Sequence, residues 1–348
     1  MLHLHTLWYI IIAFFWTGFF VLEGFDFGVG MLHAIVGRTD EERNAALESI
    51  GPFWDANEVW LIVAGAGTFA AFPGWYATMF SALYLALVLV LAALMARGVS
   101  FEFRDKLTDP RWRRAWKWAT IVGSALIPLL LGVGLGDLVH GLPIDSSHEY
   151  TGNFIDLLTP YGLWTGATLL ILSLLHGATF LMLKTTGDVR ARSATVARIM
   201  VWPSLGAILG FMIWTRTISG AHFPSTLIVL GVLAVLGAGY LIHAKQDGLA
   251  FTASAVAIGV CLISIFVALS PNVMVSSTSS AYNLTASNTA SGHYALVVMT
   301  VVALLLAPVV LLYQGWSFHV FRGRVGGGHA KQPPETPPAS PATAPVDG

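Results

Sequence analysis

Cysteine and charged residues are both scarce in this sequence. The single cysteine, Cys261, excludes an internal disulfide and any multi-cysteine metal or iron–sulfur site. Charged residues make up 11% of the 348 residues, against about a quarter in soluble domains. Hydrophobic residues make up 55%, the mean hydropathy is +0.71, and the net charge of −1 gives no reason to expect a nucleic-acid partner. The composition therefore predicts an all-α, polytopic membrane protein.

Long apolar runs predict nine membrane-spanning helices, because a bilayer core of about 30 Å needs roughly 20 helical residues. No Lys or Arg precedes the first run and no small-residue cleavage site follows it, so we expect a retained helix rather than a signal peptide. Residues 326–348 are rich in Pro and Ala and are expected to form a disordered tail, which leaves 1–325 as the membrane domain. The predicted spans lie near 7–31, 52–72, 76–97, 115–136, 160–183, 199–216, 223–243, 249–270 and 293–314.

The distribution of Lys and Arg predicts the orientation. With nine spans, the connections after spans 1, 3, 5 and 7 and the C-terminal segment share one side, and they carry 17 of the 18 basic residues. Only Arg216 falls on the other side. The positive-inside rule makes the basic side cytoplasmic, with the N-terminus outside and the C-terminus inside. Phe-Pro dipeptides at 72–73 and 223–224 hint at a duplicated four-helix set, but two dipeptides leave the duplication open.

Two pairs of carboxyl residues lie in the first two spans. Glu23 and Asp26 are three apart in FVLEGFDFGVG, and Asp55 and Glu58 repeat the spacing in the second span. Residues three apart share one helix face. The glycines of the first stretch would let a neighbouring backbone approach closely. Both pairs fall in the half of the membrane that meets the cytoplasm.

The third span ends in RGVSFEFR, which brings Arg97, Glu102 and Arg104 to the same depth. Charge at membrane depth costs about 2.5–3.5 kcal/mol per residue. One interpretation is a wet polar cluster that takes up protons from the cytoplasm. The other interpretation is structural. Pro52 at the first helical position would place Asp55 and Glu58 near the positive end of the helix dipole. Glu23 or Asp26 would form an ion pair with Arg97 that holds the helices together. The residues leave both interpretations open.

Ligands for a redox cofactor are few. Haem iron takes His, Met, Cys or Tyr as axial ligands. Of eleven histidines, only His176 lies well inside a predicted span. A single buried histidine is more often a packing residue than a ligand, so we predict no haem or metal ligand in this chain.

Six stretches together resemble subunit II of cytochrome bd quinol oxidase. They are EGFDFGVG (23–30), GPFWDANEVWL (51–61), FPGWYA (72–77), RGVSFEFR (97–104), YTGNFIDLLTPYGLWTG (150–166) and FRGRV (321–325). The resemblance implies two four-helix bundles plus one helix in the bacterial cytoplasmic membrane, paired with a similarly folded subunit I. In the family, subunit I holds two b-type haems, one d-type haem and the quinol-oxidising loop, and subunit II holds no haem. The complex oxidises quinol and reduces oxygen to water without pumping, and it takes the protons from the cytoplasm.

The resemblance also implies roles for individual residues. Asp26 and Asp55 match positions that the family associates with a proton path toward the oxygen-reducing haem. Some members carry a structural quinone in a hydrophobic groove, and small single-helix subunits are further expected partners. In some members a Gln or similar residue stands in place of His176, so we assign this histidine no special role. The remaining expected site residues are Glu23 and Glu58 on the path and Trp54, Asn57, Arg97 and Glu102 in support of it.

Two other functions remain as alternatives. A secondary transporter would also show internal repeats and polar groups in mid-membrane, but we expect no unwound stretch in spans 3, 7 and 9. A purely structural membrane scaffold would need the buried charges only for packing.

Overall fold

The computed structural model describes residues 3–220 and 223–326, which form an almost entirely helical molecule. A pair of short antiparallel strands, β1 (Asn272–Met274) and β2 (Leu284–Thr285), lies in the connection before the last helix. Most of the predicted tail lies outside the described residues. The helices are α1 (Leu4–Val36), α2 (Asp40–Glu48), α3 (Trp54–Ala71), α4 (Pro73–Ala82), α5 (Tyr84–Phe103), α6 (Pro110–His140), α7 (Pro160–Lys184), α8 (Gly187–Ser219), α9 (Ser225–His243), α10 (Asp247–Leu269) and α11 (His293–Val320).

Within the described residues, eight helices are long and apolar enough to cross a membrane: α1 and α5 to α11. The chain is therefore a multi-pass membrane protein. The helix predicted as span 2, α3, is not among the eight, because its first two turns contain Asp55, Asn57 and Glu58. The count of nine spans stays a prediction.

The predicted span at 76–97 is divided into α4 and α5. Leu83 joins the two helices with φ −90° and ψ 10°. The backbone hydrogen bonds on either side persist, from Leu83 N–H to Met79 O at 2.9 Å and from Leu87 N–H to Leu83 O at 2.8 Å. The division is thus a one-residue irregularity rather than an unwound stretch. Neither Pro nor Gly lies between residues 75 and 97, so the sequence carried no signal for it.

Helix α1 is central to the packing. It lies against α3, α6, α7 and α10. Its crossing with α7 requires glycine on both sides, because a Cβ atom on Gly28 or on Gly177 would collide with the backbone of the other helix. The glycines of the first acidic stretch thus allow the close approach that the sequence predicts. This crossing fixes the height at which Glu23 and Asp26 sit in the molecule.

The helices of the second half pack in succession. Helix α7 contacts α8, α8 contacts α9, α9 contacts α10, and α10 returns to α7. In both Phe-Pro dipeptides the proline stands at a helix start: Pro73 is the first residue of α4, and Pro224 precedes α9. Phe72 and Phe223 before them are both fully buried. The internal duplication remains a prediction.

Helix α11 is the least packed of the spanning helices. Only Leu296 of its 28 residues is buried. It contacts α1, where Trp8 Nε1 donates to Leu296 O at 3.2 Å and to Thr300 Oγ1 at 3.0 Å. Two single hydrogen bonds reach α3: Ser291 N–H, before α11, bonds Ala71 O at 2.8 Å, and Gln314 bonds Asn57 at 2.9 Å. Most of its apolar surface therefore faces outward.

An ionic cluster holds the segment that follows α11. Asp247, at the start of α10 and only 6% exposed, accepts two hydrogen bonds of 2.9 Å from Arg190 and one of 3.0 Å from Arg324. Lys184, the last residue of α7, donates to backbone carbonyl oxygens in the segment 321–323. The two ends of α11 are thus fixed although its middle is exposed.

Candidate functional site

Arg97 is the centre of a buried ionic cluster. The side chain is fully buried near the end of α5, and its Nη1 lies 2.5 Å from Glu23 Oε1 and 3.7 Å from Glu58 Oε2. The guanidinium lies over the rings of Phe27 and Phe101, at 5.1 and 5.2 Å from their centroids. Aromatic faces attract a cation, most strongly where water is excluded. The cation is therefore held both by carboxylates and by two rings.

Asp26 is connected to α3 and α11 by two amide side chains. Asn57 Nδ2 donates to Asp26 Oδ2 at 2.7 Å and to the backbone oxygen of Leu22 at 3.1 Å. Gln314 Nε2 donates to Asn57 Oδ1 at 2.9 Å. Asp26 and Asn57 are both fully buried. A continuous chain of hydrogen bonds therefore leads from the carboxylate on α1 to the exposed helix α11.

The cluster contains more carboxyl groups than cations. Glu23, Asp26 and Glu58 surround the single guanidinium of Arg97, so full ionisation would leave two uncompensated negative charges in an apolar surrounding, which is unfavourable. In the described part of the chain, both oxygens of Glu23, Oδ1 of Asp26 and the guanidinium nitrogens lack a hydrogen bond of good geometry. The cluster therefore contains buried donors and acceptors whose hydrogen bonds are not satisfied within the described part of the chain.

Helix geometry explains which predicted residues meet. Glu23 and Asp26 share one face of α1, as their spacing requires, and that face meets the start of α3 and the end of α5. Helix α3 begins at Trp54 with Phe53 as its N-cap residue, so the expectation that Pro52 opens this helix was wrong. The local reason is a turn at residues 50–53, which is closed by a bond from Phe53 N–H to Ile50 O at 2.9 Å. Asp55 and Glu58 nevertheless fall in the first two turns.

Two predicted site residues lie at the surface, outside the buried part of the cluster. Asp55 and Glu102 are both exposed. Glu58 is intermediate, with 24% of its side chain exposed, and Trp54 is half-buried beside Phe101, at 5.1 Å between ring centroids. Exposure thus decreases from Asp55 through Glu58 to the buried core of the cluster.

Two features of the site were missed by sequence reasoning. The first is Gln314, an amide side chain in an otherwise apolar run. A polar residue in such a run indicates a polar partner inside the membrane, so this residue could have been found from the sequence. The second feature is a pair of hydroxyl groups beside Arg97: the hydroxyls of Ser100 and Thr120 lie 2.7 Å apart, and Ser100 Oγ donates to Arg97 O at 2.6 Å. No spacing rule links residues on two different helices, so this pair could not be predicted from the sequence.

His176 is engaged on both ring nitrogens. Its Nδ1 lies 2.7 Å from Ser254 Oγ and its Nε2 lies 3.1 Å from the backbone oxygen of Val21. The ring stacks on Phe251 with 4.5 Å between centroids. Both nitrogens are therefore used in joining α7 to α1 and α10, as in a packing residue.

Comparison with known proteins agrees with this architecture. The cytochrome bd ubiquinol oxidase subunit 2 of Bacillus subtilis (strain 168) is 41% identical over 333 residues, which cover 93% of this chain and 98% of that protein. The cytochrome bd-I ubiquinol oxidase subunit 2 of Escherichia coli (strain K12) is 34% identical over 361 residues, which cover 92% of this chain and 95% of that protein. One chain in the structure of the bd oxidase from Geobacillus thermodenitrificans superposes on this chain with a TM-score of 0.69, and the superposition covers 90% of this chain and 99% of that one. The two sequences are 18% identical, so this likeness shows the fold alone.

The match to the family extends over all the described helices. The model of the family described as cytochrome bd terminal oxidase subunit II matches residues 4–321, from the first residue of α1 to the residue after α11. This range includes every member of the buried cluster. The chain belongs to the cytochrome bd terminal oxidase subunit II family.

Proposed function

We propose that this chain is the haem-free subunit of a quinol:oxygen oxidoreductase and that its buried cluster takes up the protons used to form water. The observation that carries the proposal is a pair of adjacent groups: Glu58, Arg97 and Glu23 are joined by ion pairs, and Asn57 is bonded to Asp26. Glu23 and Asp26 lie three residues apart on one face of α1, so the carboxyl groups lead from a partly exposed one to a fully buried one. Quinol and oxygen would react in subunit I, where two b-type haems and one d-type haem supply the redox chemistry. This chain would move protons only.

The orientation proposed for the chain puts the cluster near the cytoplasm. With 17 of 18 basic residues on one side, the N-terminus lies outside and the C-terminus inside the bacterial cytoplasmic membrane. Asp26 is ten residues before the end of α1, or about 15 Å at 1.5 Å per residue. The start of α3 and the ends of α5 and α11 lie at the same side. Protons would therefore enter over a short distance from the cytoplasm.

The order of the carboxyl groups sets the direction of uptake. Asp55 is exposed and would receive the proton, and Glu58, at 24% exposure, would pass it to the buried group. Arg97 would hold Glu23 and Glu58 in place, with Trp54 and Glu102 lining the outer part. Asp26 Oδ would be the last carboxyl oxygen of this chain to carry the proton, next to Asn57 and Gln314 on the side that faces α11.

Subunit I is proposed to cover the outer surface of α3, α5 and α11. Helix α11 is the most apolar of the spanning helices, yet only Leu296 of its residues is buried, whereas most residues of α7 are buried. The apolar side chains of α3 and α5 are similarly exposed. A partner on this surface would lie beside Gln314 and receive protons from the cluster. Small single-helix subunits would add to the same complex.

The architecture proposed for the membrane domain, residues 1–325, is nine spans in two four-helix bundles plus α11. The second bundle is supported by the successive contacts of α7 to α10, and the first would contain α1, α3, α5 and α6. An apolar cavity of about 420 Å³ separates α3 from α5 and is lined by side chains such as Trp16, Leu61 and Leu131. It would accommodate the structural quinone that some members of the family carry.

The experiment that tests proton uptake is the substitution Asp26→Asn in the assembled complex. Asparagine keeps the shape and can accept the hydrogen bond from Asn57, but it cannot ionise. We expect normal content of b- and d-type haem and a fall in quinol-dependent oxygen consumption of about 10²-fold or more, as for loss of a proton-transfer group. The matched control is Asp105→Asn, which removes an exposed carboxylate in the connection after α5.

The outcomes separate the proposal from its structural alternative. Normal haem content with full oxygen consumption in Asp26→Asn would overturn the proton role. Loss of haem or of subunit I in this variant, but not in Asp105→Asn, would favour a scaffold whose buried charges serve packing. Asp55→Asn is expected to slow oxygen consumption less than Asp26→Asn, because water can replace an exposed carboxylate.

A further inference from the structure

A polar cavity, separate from the carboxylate cluster and from the apolar cavity between α3 and α5, opens between four segments. They are the end of α1, α2, the end of α5 and the start of α6. Its volume is about 480 Å³, within the range of roughly 300–1,000 Å³ typical of small-molecule sites. Three acidic residues, Asp40, Glu41 and Asp105, contribute to its wall. The five cationic residues that line it are Arg43, Arg104, Arg113, Arg114 and Lys117.

The positive charge of this cavity is only partly compensated. Asp40 is shared by two arginines, at 2.8 Å from Arg43 and 3.3 Å from Arg113. Among the described residues, Arg114 and Lys117 make no ion pair. The cavity therefore keeps an excess of cations, which favours an anionic occupant.

Two arginine nitrogens of the same cavity are buried without a partner. Within the described ranges, Arg104 Nη1 and Arg113 Nε have no hydrogen-bond acceptor and no accessible surface. Buried polar groups in native proteins are nearly always hydrogen-bonded. Planar guanidinium groups match the oxygens of a phosphate, which can accept from several of them at once. Both side chains line the cavity, so a ligand with several acceptor oxygens would offer these guanidinium groups the acceptors they lack.

We propose that this cavity binds the phosphate group of an anionic ligand. It lies at the ends of membrane helices on the side that the orientation proposed above makes cytoplasmic, and basic pockets between helices on that side are suited to anionic lipid headgroups. A free phosphate ion presents the same oxygens. The shared chemistry is the phosphate group, and the two sources are distinguished by experiment.

The site is distinct from the proton cluster. Thr120 at its inner end contacts Ser100 at 2.7 Å, and Ser100 bonds the backbone of Arg97. Two hydroxyl groups therefore separate the cavity from the buried carboxylates. Changes to the outer arginines leave the ion pairs of Arg97 intact, so haem content serves as the control for assembly.

The test uses the whole complex reconstituted in nanodiscs of phosphatidylcholine. In one arm, phosphatidylglycerol is titrated in and its retention is measured by native mass spectrometry. In the other arm, inorganic phosphate is added and the thermal midpoint of the complex is followed. The cavity variant is Arg113→Gln/Arg114→Gln. The matched control is Lys106→Gln/Arg111→Gln, which removes two charges from the α5–α6 connection and the start of α6 at residues that do not line the cavity.

We expect the cavity variant to weaken anion binding by about thirtyfold, since each basic residue near a membrane surface contributes about a fivefold factor. The anion affinity of the control variant should stay close to that of the parent complex. Selective loss of phosphatidylglycerol would identify a lipid headgroup, and selective loss of the phosphate-induced thermal shift would identify a soluble phosphate. If the double variant does not assemble, Lys117→Gln should weaken binding about fivefold. Equal effects of cavity and control variants, or no effect in either arm, would overturn the proposal.

Discussion

Replacing Arg97 by glutamine is expected to destabilise the protein more than most single substitutions. The Arg97 and Glu23 side chains are both fully buried and lie 2.5 Å apart. Removing one partner of a buried ion pair costs about 3–5 kcal/mol, because the other charge is left without compensation. Total stabilities are about 5–15 kcal/mol. Arg97→Gln should therefore remove a large fraction of the free energy of unfolding.

A double-mutant cycle tests whether this loss comes from the pair itself. Arg97→Gln/Glu23→Gln replaces both charges by amides of similar size, and pairs replaced together are often close to neutral in stability. We expect the double variant to recover at least about 2 kcal/mol relative to Arg97→Gln alone. Arg97→Gln/Glu58→Gln should recover less, since Glu58 lies 3.7 Å from the guanidinium and is 24% exposed.

The assay is denaturant unfolding of the detergent-solubilised complex, with the midpoint and slope measured for each variant of the cycle. The haem absorption spectrum shows which variants assemble before unfolding begins. A double variant that is no more stable than Arg97→Gln would refute the reasoning. In that case the contacts of Arg97 with the aromatic rings beside it, and not its ion pair, would be the main stabilising interaction.

Three further predictions rest on other parts of the molecule. Gly177→Ala should destabilise the crossing of α1 and α7 by about 1–3 kcal/mol through overpacking. Gly206→Ala should not destabilise the protein, because a Cβ atom at this position would meet nothing within 4 Å. The rates of thermal inactivation of the two variants distinguish these outcomes. Hydrogen bonds from Arg192 and from backbone N–H groups lower the pKa of Glu42 from 4.5 to about 2, so its stabilisation is complete above pH 4.5 and is lost as the pH falls toward 2. The thermal midpoint of Glu42→Gln should differ from that of the parent at pH 7 and converge with it in that acid range, and a constant difference would contradict this. Asp247→Asn should weaken the ionic cluster that fixes residues 321–326 and make that segment cleavable in limited proteolysis, while unchanged cleavage would show that backbone contacts suffice.

Helix spacing predicted part of the site but not the way the helices are rotated against one another. The three-residue spacing placed Glu23 and Asp26 on one face, and the structure turns that face toward Arg97 and Asn57. The same spacing placed Asp55 beside Glu58, yet Asp55 is exposed. A spacing rule defines a face of one helix, and the exposure of that face depends on which neighbour covers it. That information lies in contacts between distant segments.

Helix boundaries show the same limit. The apolar runs gave the position of each spanning helix, whereas α8 begins at Gly187, well before the predicted start at 199. The reason is that hydropathy marks the part of a helix inside the bilayer and not its extension into the basic surface region. The division at Leu83 lacks a proline or glycine and could not be located from the sequence.

Gln314 gives α11 a role that its sparse packing does not indicate. This helix buries one residue, yet it reaches the cluster through a single amide that bonds Asn57, which in turn bonds Asp26. Its ends are fixed near Ala71 and at the segment after Val320, so its middle is free to adjust to whatever covers it. In the proposed complex the cover is subunit I, and docking of that subunit would set the position of Gln314 relative to Asn57. The hydrogen-bond chain from Gln314 to Asp26 is already formed in the single chain, so docking of subunit I would bury the outer end of an existing connection.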